Sequence, residues 1–125
     1  MSQIGEQPLQ GRRMLVVEDQ YYLATDICEW LEKAGAQVIG PVPSAAQARE
    51  LLDREQVDSA VLDINLGEGP TYEIAKALAD RDVPFLFATG YDTAAIPEDY
   101  QGRPRIEKPF QGSALVSAVR KLTNG

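Results

Sequence analysis

The chain of 125 residues contains no histidine and only one cysteine, Cys28. Without histidine it cannot hold Ser-His-Asp or Cys-His catalytic machinery, or the usual histidine-containing zinc sites. One cysteine cannot form an internal disulfide, and Cys28 lies in an apolar helical stretch where a buried structural thiol is the ordinary occupant. The chemistry left open uses carboxylates, hydroxyls, lysine and metals with oxygen ligands.

Long apolar runs and an excess of positive charge are also missing. No run approaches the roughly 18 residues of a membrane-spanning helix, and the first residues lack the apolar region of a secretory signal. The 12 Lys and Arg residues against 19 Asp and Glu residues give a net charge of −7, which disfavours unaided nucleic-acid binding. We therefore expect a cytoplasmic protein that binds neither nucleic acid nor membranes.

Short apolar strands alternate with amphipathic helices along most of the chain. Residues 1–13 lack periodicity, which predicts a flexible leader followed by one domain over residues 14–123. The predicted strands are MLVVE from Met14, Gln37–Gly40, Ser59–Leu62, FLFA after Pro84, and Arg105–Glu107. The predicted helices are Tyr21–Lys33, a second capped by Ser44 and Gln47, a third starting near Pro70, and Ser113–Leu122. This alternation predicts a doubly wound α/β fold with a five-stranded parallel sheet.

One unit breaks the alternation. The stretch GYDTAAIPEDYQGRP between the last two strands contains Pro97 and Gly102. Proline interrupts a helix beyond its first turn, and glycine weakens it further. We therefore expect a fourth helix that is short, distorted or mobile.

Polar side chains follow the predicted strands at their carboxyl ends. Glu18 and Asp19 follow the first strand, Asp63 the third, Thr89 the fourth and Lys108 the fifth. Each residue alone has an ordinary structural explanation as a turn, cap or surface residue. Because the carboxyl ends of parallel strands share one edge of the sheet, we expect all five in one pocket.

Three carboxylates in one pocket repel each other unless a cation lies among them. Oxygen ligands without histidine or thiolate favour Mg²⁺, with Mn²⁺ possible. Lys108 and Thr89 could then donate to the oxygens of a phosphoryl group. Asp63 is the candidate nucleophile, forming an aspartyl phosphate.

Four motifs, VVED, LDINL, FATG and EKPF, occur in this order between Met14 and about Leu122. In this order and spacing the chain resembles the receiver domain of bacterial response regulators. The resemblance implies the (βα)5 flavodoxin-like receiver fold, phosphorylation of Asp63, contacts of Thr89 and Lys108 with the phosphoryl group, and a cis Lys108–Pro109 peptide. The implied ligands of Mg²⁺ are Glu18, Asp19, Asp63 and the backbone carbonyl of Asn65.

The resemblance also implies a function. We expect a single-domain response regulator of a two-component phosphorelay, which accepts a phosphoryl group from a histidine kinase or histidine phosphotransfer protein. It would signal to a downstream protein by contact, as a monomer or weak dimer, and would not be an enzyme beyond self-phosphorylation and slow hydrolysis. A phosphate sink and a kinase-binding antagonist remain open as alternatives.

Two other classes fit less well. Phosphatases of the haloacid-dehalogenase type generally need a second Asp two residues after the nucleophile, where this chain has Asn65. A nucleotide or flavin carrier needs a phosphate-binding loop after the first strand, where Glu18 and Asp19 place negative charge. The phosphatase stays a weaker alternative, and the carrier is rejected.

The chain departs from most receivers at Arg105, three residues before the lysine, where the family usually carries an aromatic switch residue. The FATG motif followed by Tyr91 instead resembles the FATGUY subgroup of receivers. We therefore expect the phosphorylation signal to leave through the segment after Gly90, as a population shift and not as a side-chain rotation.

Overall fold

The computed structural model describes residues 7–66, 69–70, 72–90, 96 and 98–123. Five parallel strands form one sheet in the order β2-β1-β3-β4-β5. The strands are β1 (Arg13–Val17), β2 (Gln37–Val42), β3 (Ser59–Asp63), β4 (Phe85–Thr89) and β5 (Arg105–Glu107). The helices are α1 (Tyr21–Lys33), α2 (Ala45–Arg54), α3 (Tyr72–Asp80) and α4 (Gly112–Thr123). This arrangement confirms the predicted doubly wound sheet.

Helices cover both faces of the sheet. Alternate side chains of each strand point to opposite faces, so each strand contributes to the core on both sides. Met14 and Val16 of β1 pack in the core cluster that contains residues of α1 and α4. Leu15 and Val17 of the same strand pack in the cluster that contains residues of α2 and α3. An apolar run such as that of β1 is the pattern of a strand buried on both faces.

The boundaries of α1 agree with the prediction at both ends, and α2 begins at the predicted cap. The hydroxyl of Ser44 accepts a hydrogen bond from the Gln47 amide at 3.2 Å and donates to the Gln47 side-chain oxygen at 2.9 Å. The first of these bonds satisfies a backbone amide that the first helical turn leaves without an intrahelical partner.

The second strand runs past the predicted end at Gly40 to Val42. Its pairing with β1 shifts register there, which fits a bulge. Gly40 has a φ of +103°, and a Cβ at this position would lie 3.0 Å from the Val16 carbonyl oxygen. Pro41 is tolerated because β2 is an edge strand.

The predicted leader over residues 1–13 is wrong for residues 7–13. Leu9 is fully buried in the core cluster shared with α1 and α4, and its amide donates to the Ala34 carbonyl at 2.9 Å. The Gly11 amide donates to the Gly35 carbonyl at 3.2 Å, and Arg13 already belongs to β1. One buried leucine in a polar stretch leaves no periodicity, so the sequence pattern did not predict this turn. Residues 1–6 lie outside the described part of the chain.

Between β4 and β5 the structure describes a three-residue 3-10 helix, Glu98–Tyr100. The ring of Tyr100 stacks on Tyr72 of α3 at 5.7 Å between centroids and meets Phe87 of β4 edge-on at 6.1 Å. The rest of the predicted weak fourth helix falls on residues 91–95 and 97, which lie outside the described residues. No helix in the described ranges is both long enough and apolar enough to cross a membrane.

Candidate functional site

The five polar residues predicted to meet at one edge of the sheet lie at the carboxyl ends of their strands. Asp63 and Thr89 are the last residues of β3 and β4. Glu18 and Asp19 follow β1, and Lys108 follows β5. The Lys108 amide donates to the Thr89 carbonyl at 2.7 Å, which extends the pairing of β4 and β5 by one step.

Three carboxylates form the centre of the site. Glu18, Asp19 and Asp63 each offer one oxygen, and these oxygens all lie within 4.8 Å of one another. Glu18 is 3% exposed and Asp63 4% exposed, whereas Asp19 is open to solvent. The backbone amide of Gln20 donates to Oε2 of Glu18 at 3.1 Å and helps to fix that side chain.

The side chain of Lys108 lies between the two buried carboxylates. Its Nζ is 3.3 Å from Oε1 of Glu18 and 3.3 Å from Oδ1 of Asp63. The sequence predicts Lys108 only as a contact of a phosphoryl group, and its ion pair with Glu18 was not predicted. Residue spacing gives no signal for that pair, because it depends on side-chain conformations within the folded pocket.

Its surroundings in the site make Glu18 a weaker acid than an ordinary glutamate. Burial and the nearby charge of Asp63 raise the pKa of Glu18 from its ordinary value of 4.5 to about 7, although Lys108 and the Gln20 amide act in the opposite direction. When all three carboxylates are ionised, the single charge of Lys108 does not balance them.

Two further predicted residues complete the edge. Thr89 is 1% exposed, and among the described residues its Oγ1 has no hydrogen-bond partner. Asn65 lies two residues after Asp63, and its backbone pairs with that of Pro70 in a short antiparallel ladder of two residues on each side. The Lys108–Pro109 peptide is cis, as the family resemblance implied.

Cys28 does not take part in the site. It is half-buried and packs against the cluster between α1 and α4. Burial and the charge of Glu32 raise the pKa of Cys28 to about 11. Its thiol is therefore protonated at neutral pH, in agreement with a structural role.

Two tyrosines near the site were not singled out from the sequence. Tyr21 and Tyr22 open α1 directly after Asp19 and Gln20, and they are 75% and 82% exposed. A cleft of about 520 Å³ is lined by Gln20 and Leu23, which flank the two tyrosines in sequence, and by Trp30, Phe110 and Lys108. Because Lys108 borders both the cleft and the carboxylates, the cleft adjoins the site.

The model of one protein family, the response regulator receiver domain, matches residues 14–120. The chain belongs to this family. It is 33% identical to SdrG from Sphingomonas melonis Fr1, with a TM-score of 0.80 over 90% of this chain and 96% of SdrG. It is 27% identical to the chemotaxis protein CheY from Thermotoga maritima, over 90% of this chain and 98% of CheY.

A longer relative also matches this receiver domain. The transcriptional regulatory protein PdtaR of Mycobacterium tuberculosis is 24% identical over 86% of this chain and 55% of PdtaR. The chain thus spans about half the length of PdtaR. Receiver domains are in general signalling domains.

Proposed function

We propose that this receiver is a phosphorylation switch that accepts a phosphoryl group on Asp63 from a histidine kinase or a histidine phosphotransfer protein. One observation carries the proposal: the buried Asp63 carboxylate lies within 4.8 Å of two other carboxylates and 3.3 Å from the Lys108 ammonium nitrogen. A carboxylate nucleophile beside a cation and a cluster of oxygen ligands is the arrangement that metal-assisted phosphoryl transfer requires.

The residues of the site fit a magnesium ion. Three carboxylate oxygens lie together without histidine or thiolate, and burial together with the charge of Asp63 raises the pKa of Glu18 to about 7. Glu18, Asp19, Asp63 and the backbone carbonyl of Asn65 would hold Mg²⁺ or Mn²⁺. The bound ion would supply positive charge that offsets the carboxylates and the incoming phosphoryl oxygens.

The proposed transfer uses Asp63 as the nucleophile. A carboxylate oxygen of Asp63 forms a bond to phosphorus while the bond from phosphorus to the donor histidine nitrogen breaks, and the released imidazole takes up a proton. Lys108, now 3.3 Å from Asp63, would pair with a phosphoryl oxygen. The Thr89 hydroxyl, which has no hydrogen-bond partner among the described residues, would donate to another.

The same residues favour a switch over a phosphatase. Asn65 occupies the place where the rival phosphatase class carries its general acid and base, so no carboxylate there would activate water. Asp63 is only 4% exposed, which limits the approach of water to its acyl phosphate. We therefore expect slow self-dephosphorylation and no turnover of general phosphate esters.

The route by which the signal leaves the domain involves β5 and the segment after Gly90. Arg105 is exposed on β5 where most receivers carry an aromatic residue. The FATG motif followed by Tyr91 supports membership of the FATGUY subgroup. The predicted exit through the segment after Gly90 falls on residues 91–95 and 97, outside the described residues. We expect a cytoplasmic monomer or weak dimer that contacts a downstream protein, with a phosphate sink or a kinase-binding antagonist as alternatives.

Mass spectrometry after incubation with a small-molecule phosphoryl donor and Mg²⁺ tests the proposal. The wild type and Asp80→Ala, which removes an exposed carboxylate of α3, should gain one phosphate. Asp63→Ala should gain none, and chelation of Mg²⁺ should abolish labelling of the wild type. Equal labelling of Asp63→Ala and the wild type would refute the site.

A second measurement separates the alternative roles. A solution structure of SdrG exists in a BeF3-activated conformation, and SdrG is 33% identical to this chain. We therefore expect BeF3 to act as a phosphoryl mimic here and to change the NMR spectrum of the wild type but not that of Asp63→Ala. If Asp63→Ala still inhibits a cognate kinase as strongly as the wild type, the chain is a binding antagonist and not a switch.

A further inference from the structure

The single tryptophan of the chain, Trp30 of α1, packs against the connection that carries Lys108. This connection, residues 108–111, joins the end of β5 to the start of α4. The rings of Trp30 and Phe110 lie 6.2 Å apart between centroids, at 58° to each other. Both side chains are half-buried and pack against the core cluster between α1 and α4. Helix α1 therefore contacts the connection through an aromatic pair.

The backbone of Gly112, the first residue of α4, lies directly against the indole of Trp30. A Cβ at this position would lie 2.6 Å from Cγ and Cδ1 of Trp30 and 2.7 Å from its Nε1. These distances are shorter than any real Cβ contact, so either the indole or the start of α4 would have to move. The φ of Gly112 lies outside the left-handed region. The need for glycine here therefore comes from the contact with Trp30 and not from backbone conformation.

Open space flanks the indole on two sides. Trp30 lines the cleft of about 520 Å³ that adjoins the carboxylate site, and it also lines a cleft of about 480 Å³ that contains Gly112 and Val116 of α4. Among the described residues, Trp30 is the one that lines both clefts. Because there is space on either side of the indole, removal of the ring would leave the connection free to shift.

Lys108 begins the connection and reaches into the carboxylate site. Its amide donates to the Thr89 carbonyl at 2.7 Å, which fixes the backbone on the side of the sheet. Its Nζ lies 3.3 Å from an oxygen of Glu18 and 3.3 Å from an oxygen of Asp63. A shift of the connection would therefore change the position of the ammonium group relative to both carboxylates.

We propose that Trp30 is a positioning residue for Lys108: by packing on Phe110 and Gly112, it sets where the ammonium group meets the phosphoryl oxygens. This inference rests on the proposed phosphorylation of Asp63. Electrostatic stabilisation of phosphoryl transfer depends on where the donor lies, and a displacement of about 1 Å can slow a reaction by up to about 10²-fold. The indole carries no charge, so its effect on the reaction passes through the connection.

Rates of labelling by a small-molecule phosphoryl donor with Mg²⁺, followed by mass spectrometry, test the proposal. Trp30→Ala should slow labelling by about tenfold or more. In a Lys108→Met background the same change should slow it by less than about twofold, because the lysine that Trp30 positions is absent. Equal slowing in both backgrounds would overturn the proposal. No labelling of the wild type would overturn the proposed function as well, whereas a labelled wild type with an unchanged rate for Trp30→Ala would overturn this inference alone.

Gly112→Ala tests the same contact from the other side. Alanine favours a helix, but its Cβ would meet the indole, so labelling should slow several-fold while circular dichroism shows an intact fold. Trp30→Phe keeps an aromatic ring and should slow labelling less than Trp30→Ala does. Cys28→Ala changes another half-buried residue of α1 that packs against the same cluster, and it should leave the rate within about twofold of the wild type. A folded Gly112→Ala protein with the wild-type rate would overturn the proposal.

Amide hydrogen exchange in the metal-free protein gives a readout that does not depend on the reaction. The amide of Lys108 should exchange several-fold faster in Trp30→Ala than in the wild type, because the connection loses its contact with α1. The amides of β3, which lies in the centre of the sheet, should change much less. Equal acceleration at Lys108 and in β3 would mean a general loss of stability and would overturn the positioning role.

Discussion

The ammonium nitrogen of Lys108 lies 3.3 Å from Oδ1 of Asp63, although Asp63 ends β3 and Lys108 follows β5, with β4 between them. The same nitrogen lies 3.3 Å from Oε1 of Glu18. Lys108 therefore supplies positive charge at the place where a metal ion would also supply it. We therefore expect Lys108 to weaken the binding of a metal ion and to speed phosphoryl transfer.

Replacing Lys108 with Met should strengthen Mg²⁺ binding and slow phosphorylation. Removing a cation beside the carboxylates lowers the repulsion of the metal. The dissociation constant for Mg²⁺ should therefore fall several-fold at about pH 9, well above the pKa of about 7 that Glu18 has beside Lys108. The rate with a small-molecule donor should fall by about 10²-fold because a partner of the phosphoryl oxygens is lost. Calorimetry and mass spectrometry measure the two effects.

Lys76→Met, which removes an exposed cation of α3, serves as the control for Lys108→Met. It should leave both the Mg²⁺ affinity and the rate of phosphorylation unchanged. A Lys108→Met protein that binds Mg²⁺ more weakly than the wild type would contradict the electrostatic argument.

The stability of the metal-free protein should fall as the pH rises from about 4.5 to about 7. Folded Glu18 keeps its proton to about pH 7 while the unfolded chain releases it near 4.5, so the folded state binds more protons in this window. Above pH 7, deprotonation of Glu18 should lower the free energy of unfolding by on the order of 3 kcal/mol. Urea unfolding across this pH range measures the effect.

Glu18→Gln isolates this contribution, because glutamine cannot ionise and the other carboxylates are unchanged. The stability of the variant relative to the wild type should increase through the same pH window, and saturating Mg²⁺ should restore the stability of the wild type. If the free energies of unfolding of the two proteins changed in parallel with pH, Glu18 would not be the titrating group.

Leu9→Ala should destabilise the protein by about 2–5 kcal/mol because it opens a cavity between the amino-terminal turn and the cluster of α1 and α4. Gln10→Ala changes the exposed neighbour and should have little effect on the free energy of unfolding. Urea unfolding compares the two variants. Equal stability of Leu9→Ala and the wild type would mean that residues 7–13 are the flexible leader predicted from the sequence.

The contrast between α1 and this turn explains which parts of the fold were predictable. The helix Tyr21–Lys33 repeats apolar residues at helical spacing and ends before Gly35, so its boundaries follow from local pattern. Leu9 is a single apolar residue, and β2 continues through Gly40 and Pro41, which ordinarily end a strand. Both features depend on tertiary neighbours, namely the end of α1 and the edge of the sheet, which no local pattern contains.

The grouping of the site residues was predictable for a topological reason, but its electrostatics was not. Parallel strands bring their carboxyl ends to one edge, so Glu18, Asp63 and Lys108 could be placed together before any distance was known. Which carboxylate Lys108 contacts depends on side-chain conformation and burial. The raised pKa of Glu18 likewise arises from burial and from the charge of Asp63. Both depend on the folded structure and cannot be read from the spacing of residues in the sequence.

Thr89→Val should preserve or increase the stability of the unphosphorylated protein while impairing its phosphorylation. The Thr89 hydroxyl is buried without a hydrogen-bond partner among the described residues, and burying such a group costs about 1–3 kcal/mol. Valine has nearly the same shape and removes that cost, but it cannot donate to a phosphoryl oxygen. Thr89→Ser, which keeps the hydroxyl, should phosphorylate at nearly the wild-type rate and should be less stable because it loses a buried methyl group. If Thr89→Val lost stability and phosphorylated normally, the hydroxyl would have a structural role and not the proposed one at the phosphoryl group.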